Sequence, residues 1–316
     1  MFNRVIVATD LSPASFAIVN CLRGLRAYGA KRCLLLLCLD LQQAASTALS
    51  YTTAPLENIL GQQKEILGKS GFEVETRILP GFAKQEINRV AAEEDYSLVV
   101  VGSQGHSMVG EGLLGGVAYE VIHSARKPVL LVRVKMKQDA GNVCVQATRC
   151  DFSEHVLFPT DFSENADHAF TYVEKLATDG ARRVTLLHVQ VKELIDPHLT
   201  HRLDEFNEID RGRLEKMKEL LQKKGNAVIE LELCYGSVFK EITRLVRERN
   251  VNLVVMGSQG RGFIEEIFLG SVSHNVARYV DAPLLLIPAV NHGTAGNVGR
   301  TNARSSDYWR RTAVVS

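Results

Sequence analysis

No apolar run in this 316-residue chain exceeds the seven residues Cys33–Leu39. A helix needs about 20 to cross a bilayer, so no segment qualifies. The opening residues lack a charged-then-apolar leader and read at once as a strand, Arg4–Thr9. The expectation is a non-secreted, cytoplasmic protein. Charge of one sign is missing too: the formal net charge is +1, which gives no global field for nucleic acid or a membrane surface. With 46% hydrophobic and 23% charged residues, the composition is that of a globular chain long enough for two ordinary domains.

Cysteine is present without a framework. Of the six cysteines, Cys21, Cys33, Cys38 and Cys234 fall in apolar-rich elements and read as small core residues. Cys144 and Cys150 fall in a polar stretch, where a redox pair is conceivable. A reduced compartment is the simpler reading.

What the chain does have is an internal repeat. Setting Asp10 against Asp161 aligns Arg4–Thr9 with His155–Thr160, and each strand runs into Asp-x-Ser, at Asp10–Ser12 and Asp161–Ser163. Gly29-Ala30-Lys31-Arg32 meets Gly180-Ala181-Arg182-Arg183 at the same offset of 151. By Gly81 and Gly236 the offset is 155, and Leu98–Gly102 then meets Leu253–Gly257. Repeats of this length are domains rather than solenoid units. The expected organisation is a domain over 1–136, a linker over 137–152, a second domain over 153–290, and a basic, disordered tail over 291–316 carrying Trp309.

Each half alternates strand and helix. Ser12 and Ser163 are placed to cap the first helix, with Pro13 in its first turn in the N-terminal half. Cys33–Leu39 and Val184–Val189 are continuous apolar runs, as in strands covered on both faces. In the second helix of the C-terminal half, Leu203, Phe206, Leu214, Met217 and Leu221 mark the apolar face. Strand three differs: Val74, Thr76 and Ile78 alternate with charges, as do Ile229, Leu231 and Leu233, so it belongs at a sheet edge. Strand five is expected over Pro128–Val134 and Pro283–Pro288. Right-handed crossovers then predict two tandem, doubly wound, parallel five-stranded α/β sheets, Rossmann-like, in the order 3-2-1-4-5.

That order places the ends of strands one and four side by side, at the reversal point where open α/β sheets bind ligands. Asp161 ends strand one. At the end of strand four stand Gly257-Ser258-Gln259-Gly260, nine residues, then Gly270-Ser271. The glycines admit close backbone approach, and Gly270, Ser271 and Val272 open a helix whose amides and dipole favour phosphate. Arg261 supplies a charge-assisted contact for terminal phosphates, and Asp161 an acceptor for ribose hydroxyls or an adenine amino group. The competing reading is a loop that only turns the chain and a serine that only starts a helix.

Asp161-x-Ser163, Leu187-His188-Val189 and Gly257-x2-Gly260-x9-Gly270-Ser271 together closely resemble the universal stress protein family, in its ATP-binding subgroup. The resemblance covers about residues 1–135 and 153–290, in tandem. It implies an adenine nucleotide alpha-hydrolase-like fold and nucleotide contacts at Asp161, Val189, Met256, Gly257, Gly260, Gly270, Ser271 and Val272. The implied ligand is ATP, or AMP or ADP, with Mg2+ as a possible companion. A regulatory stress-response role with an unidentified protein partner goes with it. Family members pair through the last strand, which implies an internal pseudo-dimer here and leaves a further homodimer open.

The N-terminal half departs from the pattern. Leu37-Cys38 stands for His188-Val189, and Gly116 for the serine that opens the last helix. Asp10, Gly102, Gly105 and Gly115 remain, marking a weaker second site or turn geometry alone. Loss of one phosphate-facing hydroxyl costs about 0.5–1.5 kcal/mol, up to about tenfold in affinity. An enzyme on this sheet is the alternative class, as a slow ATPase or phosphotransferase with Ser271 and Ser273 the nearest hydroxyls; a nucleotide-free scaffold is another. No SGGxDS, HxGH or GxxxxGK[ST] motif occurs, and His106, His123, His188 and His274 read as surface or packing residues, so no catalytic set is expected.

Overall fold

The computed structural model describes residues 1–40, 54–104, 114–139, 142–196, 200–260 and 269–289. The N-terminal half runs β1 (Arg4–Thr9), α1 (Pro13–Cys21), a 3-10 turn (Leu22–Tyr28), β2 (Arg32–Leu39), α2 (Ala54–Lys69), β3 (Glu73–Pro80), α3 (Ala83–Glu93), β4 (Leu98–Gly102), α4 (Gly116–His123) and β5 (Val129–Val132). A connection follows with β6 (Val134–Asp139) and β7 (Asn142–Ala147). The C-terminal half runs β8 (Val156–Pro159), α5 (Glu164–Thr178), β9 (Arg183–Val191), α6 (Lys192–Ile195), a 3-10 turn (Thr200–Arg202), α7 (Leu203–Gln222), β10 (Val228–Gly236), α8 (Val238–Glu248), β11 (Leu253–Gly257), α9 (Ser271–Tyr279) and β12 (Leu284–Ile287). Gly105, Arg261, His106 and the tail with Trp309 lie outside the described residues.

Local chemistry starts the elements where the sequence places them. The Ser12 hydroxyl accepts from the Ser15 amide and Pro13 occupies the first turn of α1; the Ser163 hydroxyl accepts from the Ala166 amide at the start of α5. Each satisfies one of the amides a helix start leaves open.

Each half shows the order 3-2-1-4-5, and the two orders run on into one ten-stranded sheet, β10-β9-β8-β11-β12-β5-β4-β1-β2-β3. Pairing inside each half is parallel. The seam is antiparallel, with Leu284, Leu285 and Leu286 opposite Leu131, Leu130 and Val129. The edge that the family resemblance assigns to pairing between subunits is thus used inside one chain. Strands β3 and β10 form the outer edges, and charges such as Glu73, Glu75 and Glu232 sit on them.

Two apolar layers cover the sheet. Val5 and Val7 face the layer with α1, α2, α5 and α7, while Ile6 faces the layer with α3, α4, α8 and α9. Both layers run unbroken from one half into the other, so the seam is interior on both faces.

The connection between halves is more structured than its polar sequence suggested. Expected strand five ends at Val132, and the chain turns at Arg133 into the β6–β7 hairpin, which pairs from Val134 opposite Ala147 to Asp139 opposite Asn142. Arg133 is buried, and its guanidinium donates at 2.9 and 2.7 Å to the carbonyls of Val276 and Ala277, at the far end of α9. Lys135 pairs with Asp281 at 2.9 Å. The reading of Cys21 as a core thiol needs correction: it forms a disulfide with Cys150, Cα to Cα 4.7 Å. A sequence separation of 129 gives no local pattern to reveal it. The bond ties α1 to the end of the connection. Among the described residues no helix is long and apolar enough to cross a membrane.

The seam predicts a stability cost. Leu285 is 1% exposed, so Leu285→Ala should lower the unfolding free energy by about 2–5 kcal/mol in urea. Val228→Ala on the outer edge, where the side chain is 58% exposed, should change it by less than about 0.5 kcal/mol.

Candidate functional site

Strand one of the C-terminal half delivers Thr160 and Asp161 to the reversal point. The Thr160 amide donates to Leu187 at 2.8 Å, which holds the end of β8 against β9. Phe162 follows at φ 57, a left-handed conformation that costs a bulky residue energy and often marks a functional site. The turn lets Asp161 Oδ1 accept from the Ser163 amide at 3.1 Å and its hydroxyl at 2.6 Å. The N-terminal half repeats the turn, with Leu11 at φ 63 and Ser12 on Asp10.

Strand four supplies the other wall. The Ser258 amide donates to Ile287 at 2.8 Å and the Gly270 amide to Ser258 at 2.7 Å, pinning the start of α9 to the end of β11. The Ser273 hydroxyl donates to the Gly257 carbonyl at 2.9 Å. It is committed to positioning the glycine turn, which weighs against Ser273 as a phosphoryl acceptor. Gly270 is the N-cap of α9, and among the described residues no side chain caps that end. The first-turn amides are therefore left for an incoming group. At Gly260 a Cβ would come within 2.6 Å of Asp161 Oδ2. At Gly257 it would meet the backbone carbonyl oxygens of Gln259 and Asn165 at 3.1 and 3.2 Å. A side chain at Gly260 would displace the Asp161 carboxylate, and one at Gly257 would crowd the backbone of its neighbours.

These pieces enclose a cavity of about 650 Å³. Asp161, Val189, Met256, Gly257, Gly260, Gly270, Ser271 and Val272 all line it. Its volume is in the range of small-molecule sites.

The cavity also has a polar cluster that sequence reasoning did not assemble. His188 Nδ1 lies 2.8 Å from the Thr160 carbonyl, and its Nε2 lies 3.4 Å from Asp210 Oδ2. Gln190 donates to the same oxygen at 3.0 Å, and Arg213 meets Oδ1 at 3.4 Å. Phe162 packs on the His188 ring with centroids 4.4 Å apart, and the Arg213 guanidinium lies 5.2 Å from the Phe162 centroid. Burial pushes the Asp210 carboxyl up, but hydrogen bonds from His188 and Gln190, with the Arg213 charge, outweigh it and hold it below the usual aspartate range. The signal was available: Asp210 and Arg213 are spaced i, i+3 on α7, in line with the apolar face marked by Leu214.

The N-terminal half has its own cavity, of about 800 Å³, lined by Asp10, Gly102, Gly115 and Gly116 among others. The Asp10 carboxylate accepts from the hydroxyls of Ser12 and Ser15. Cys38 lines this cavity, and burial, with Glu86 nearby, pushes its thiol up to about 11. Among the described residues, no group of three or more His, Cys, Asp or Glu side chains is arranged to hold a metal ion.

The profile of the Universal stress protein family matches residues 1–133 and again 153–288. The chain belongs to that family, with two copies of its domain in tandem. Universal stress protein MJ0577 of Methanocaldococcus jannaschii is 30% identical over 155 residues, 43% of this chain and 95% of the relative. A universal stress protein of Mycolicibacterium smegmatis is 26% identical over 233 residues, 71% of this chain and 72% of that one. Among solved structures, a universal stress protein from Archaeoglobus fulgidus shares the fold along almost the whole chain, with a TM-score of 0.64 at 23% identity, covering 90% of this chain and 96% of that one.

The Asp210 cluster predicts a pH signature. A carboxylate held below its ordinary pKa stabilises the fold above that value, and the stabilisation disappears as pH falls through the folded-state value. Asp210→Asn should cost about 1–3 kcal/mol at pH 7. The difference from the parent chain should shrink below pH 3.8, the ordinary aspartate value. Urea midpoints at pH 7 and pH 3 measure both.

Proposed function

We propose that the C-terminal cavity binds an adenine nucleotide, ATP in the first instance, and that the chain acts as a nucleotide-responsive regulatory protein. The observation that carries the reading is the convergence of Asp161, the Gly257–Gly260 turn and the uncapped start of α9 on one cavity. A helix start without a side-chain cap offers amides and a positive dipole end to phosphate. Asp161, fixed by Ser163, offers an acceptor for ribose hydroxyls. The apolar walls at Val189, Met256 and Val272 suit the flat face of a base. Arg261 remains the proposed contact for terminal phosphates.

The polar cluster refines the assignment. Arg213 brings positive charge to the same wall, and Asp210 stands beside it as an acceptor for an amino or hydroxyl group. A Mg2+ ion accompanying the nucleotide would be held by phosphate and water oxygens, the usual arrangement for an ion that dehydrates reluctantly. No triad of nucleophile, base and orienting group assembles at the cavity among the described residues, so turnover is expected to be slow and incidental.

Mass spectrometry of freshly purified, denatured protein should release about one adenine nucleotide per chain. Gly260→Val, which drives a side chain into Asp161, should lower nucleotide affinity by at least about 100-fold, some 2.7 kcal/mol. Ser271→Ala should lower it by about tenfold or less. Undiminished nucleotide in Gly260→Val would sink the assignment, and rapid hydrolysis would favour an enzyme.

A further inference from the structure

The turn that carries Asp161 is built alike in both halves. The Phe162 amide donates to the Thr160 hydroxyl at 3.0 Å, and the Leu11 amide to the Thr9 hydroxyl at 3.1 Å. Phe162 and Leu11 share the left-handed conformation, at φ 57 and 63. These contacts form the turn with either side chain at its corner.

The carboxylate beside that corner is held differently in the two copies. Asp10 Oδ1 accepts from the hydroxyls of both Ser12 and Ser15. Ala166 stands in the place of Ser15, so Asp161 keeps the Ser163 hydroxyl and the second hydroxyl is missing. What the C-terminal half has instead is a clamp on the next residue. The His188 ring packs on Phe162, and the Arg213 guanidinium lies 5.2 Å from the same ring centroid, close enough for a cation–aromatic contact. His188 is fixed by the Thr160 carbonyl. Asp210 bridges the two jaws, meeting His188 through one oxygen and Arg213 through the other.

The N-terminal half has none of these groups at the matching places. Leu11 stands for Phe162 and Leu37 for His188. The buried rows Leu60, Gln63, Leu67 and Leu214, Met217, Leu221 set the register of α2 against α7, which puts Ile59 in the place of Arg213. The clamp therefore occurs in the copy that lacks the second hydroxyl.

Asp161 lines the cavity, whereas Phe162 is not among the described residues that line it. Asp161 Oδ2 faces Gly260 across the cleft, 2.6 Å from where a Cβ would lie. A ring pinned behind the turn limits the swing of the adjoining carboxylate, and hydrogen bonds weaken steeply with misalignment. We propose that Phe162, gripped by His188 and Arg213, is a positioning residue that aims Asp161 at the sugar and sets a preference for ribonucleotides. This role rests on the C-terminal cavity being a nucleotide site with Asp161 on the ribose hydroxyls.

Calorimetric titration of the full-length chain with ATP and with 2′,3′-dideoxy-ATP, which lacks those hydroxyls, tests it. The parent should prefer ATP by at least about tenfold, the scale of one hydrogen bond to a charged group. Phe162→Leu, which copies the N-terminal turn, should bring that ratio to within about threefold of one, chiefly by weakening ATP. Phe162→Tyr, which keeps the ring, should restore the parental ratio. Arg213→Met, at the exposed rim, should lower the ratio by about threefold or more and provides a reading should Phe162→Leu disturb folding. Asp161→Asn should abolish the preference, and adding Phe162→Leu to it should change the ratio no further, because the two act through one contact. An unchanged ratio in folded Phe162→Leu would overturn the proposal. Equal losses for both nucleotides in Phe162→Leu or Arg213→Met would do the same, since general loosening or a phosphate contact weakens both alike. A parent that binds neither nucleotide, or a preference untouched by Asp161→Asn, would instead bring down the site assignment and the positioning role with it.

Discussion

The antiparallel seam between Leu284–Leu286 and Val129–Leu131 is the constraint on which the architecture rests. A parallel sheet must be covered on both faces, and its edge strands must be blocked or paired. In each half the last strand is a short apolar run with no charge to protect its outer edge. Pairing the two such edges inside one chain satisfies their backbone groups at once and leaves only the charge-studded β3 and β10 to face solvent. The apolar layers then continue across the seam, so neither half has a free flank to expose.

Much of this was legible in the residues. Ser12 and Ser163 announce their helices through contacts only three residues long, and the charge alternation of strand three identifies an edge without reference to the rest of the chain. The strand order follows from topological rules acting on the alternation of elements. The glycine frame was legible for a related reason: turn geometry forces small residues at fixed spacing, and only the register with Asp161 had to be supplied by the fold.

What the sequence hid was long-range. Cys21 and Cys150 are far apart in the chain and share no local pattern. The hairpin after Arg133 reads as polar linker because Lys, Gln and Asp interrupt its apolar residues, and Val134, Val145 and Ala147 meet their core partners only in the fold. Asp210 falls in line with the apolar face of α7, a hint the residues carry, but only the packing of that helix over β9 sets it against His188 and Gln190, with Arg213 at the exposed rim. Buried polarity of this kind is chosen by the partner across the gap, and a single segment does not name its partner.

The covalent join of the two halves has a consequence for how such a molecule changes over generations. In a symmetric pair of identical subunits, any substitution appears twice, so one pocket cannot be altered while its twin is preserved. Here a single codon change at Leu37 or Ile59 touches one pocket only, and the shared β5–β12 edge keeps the altered half assembled with its unaltered sibling. Duplication within one chain thus separates the inheritance of the scaffold from the inheritance of its contents.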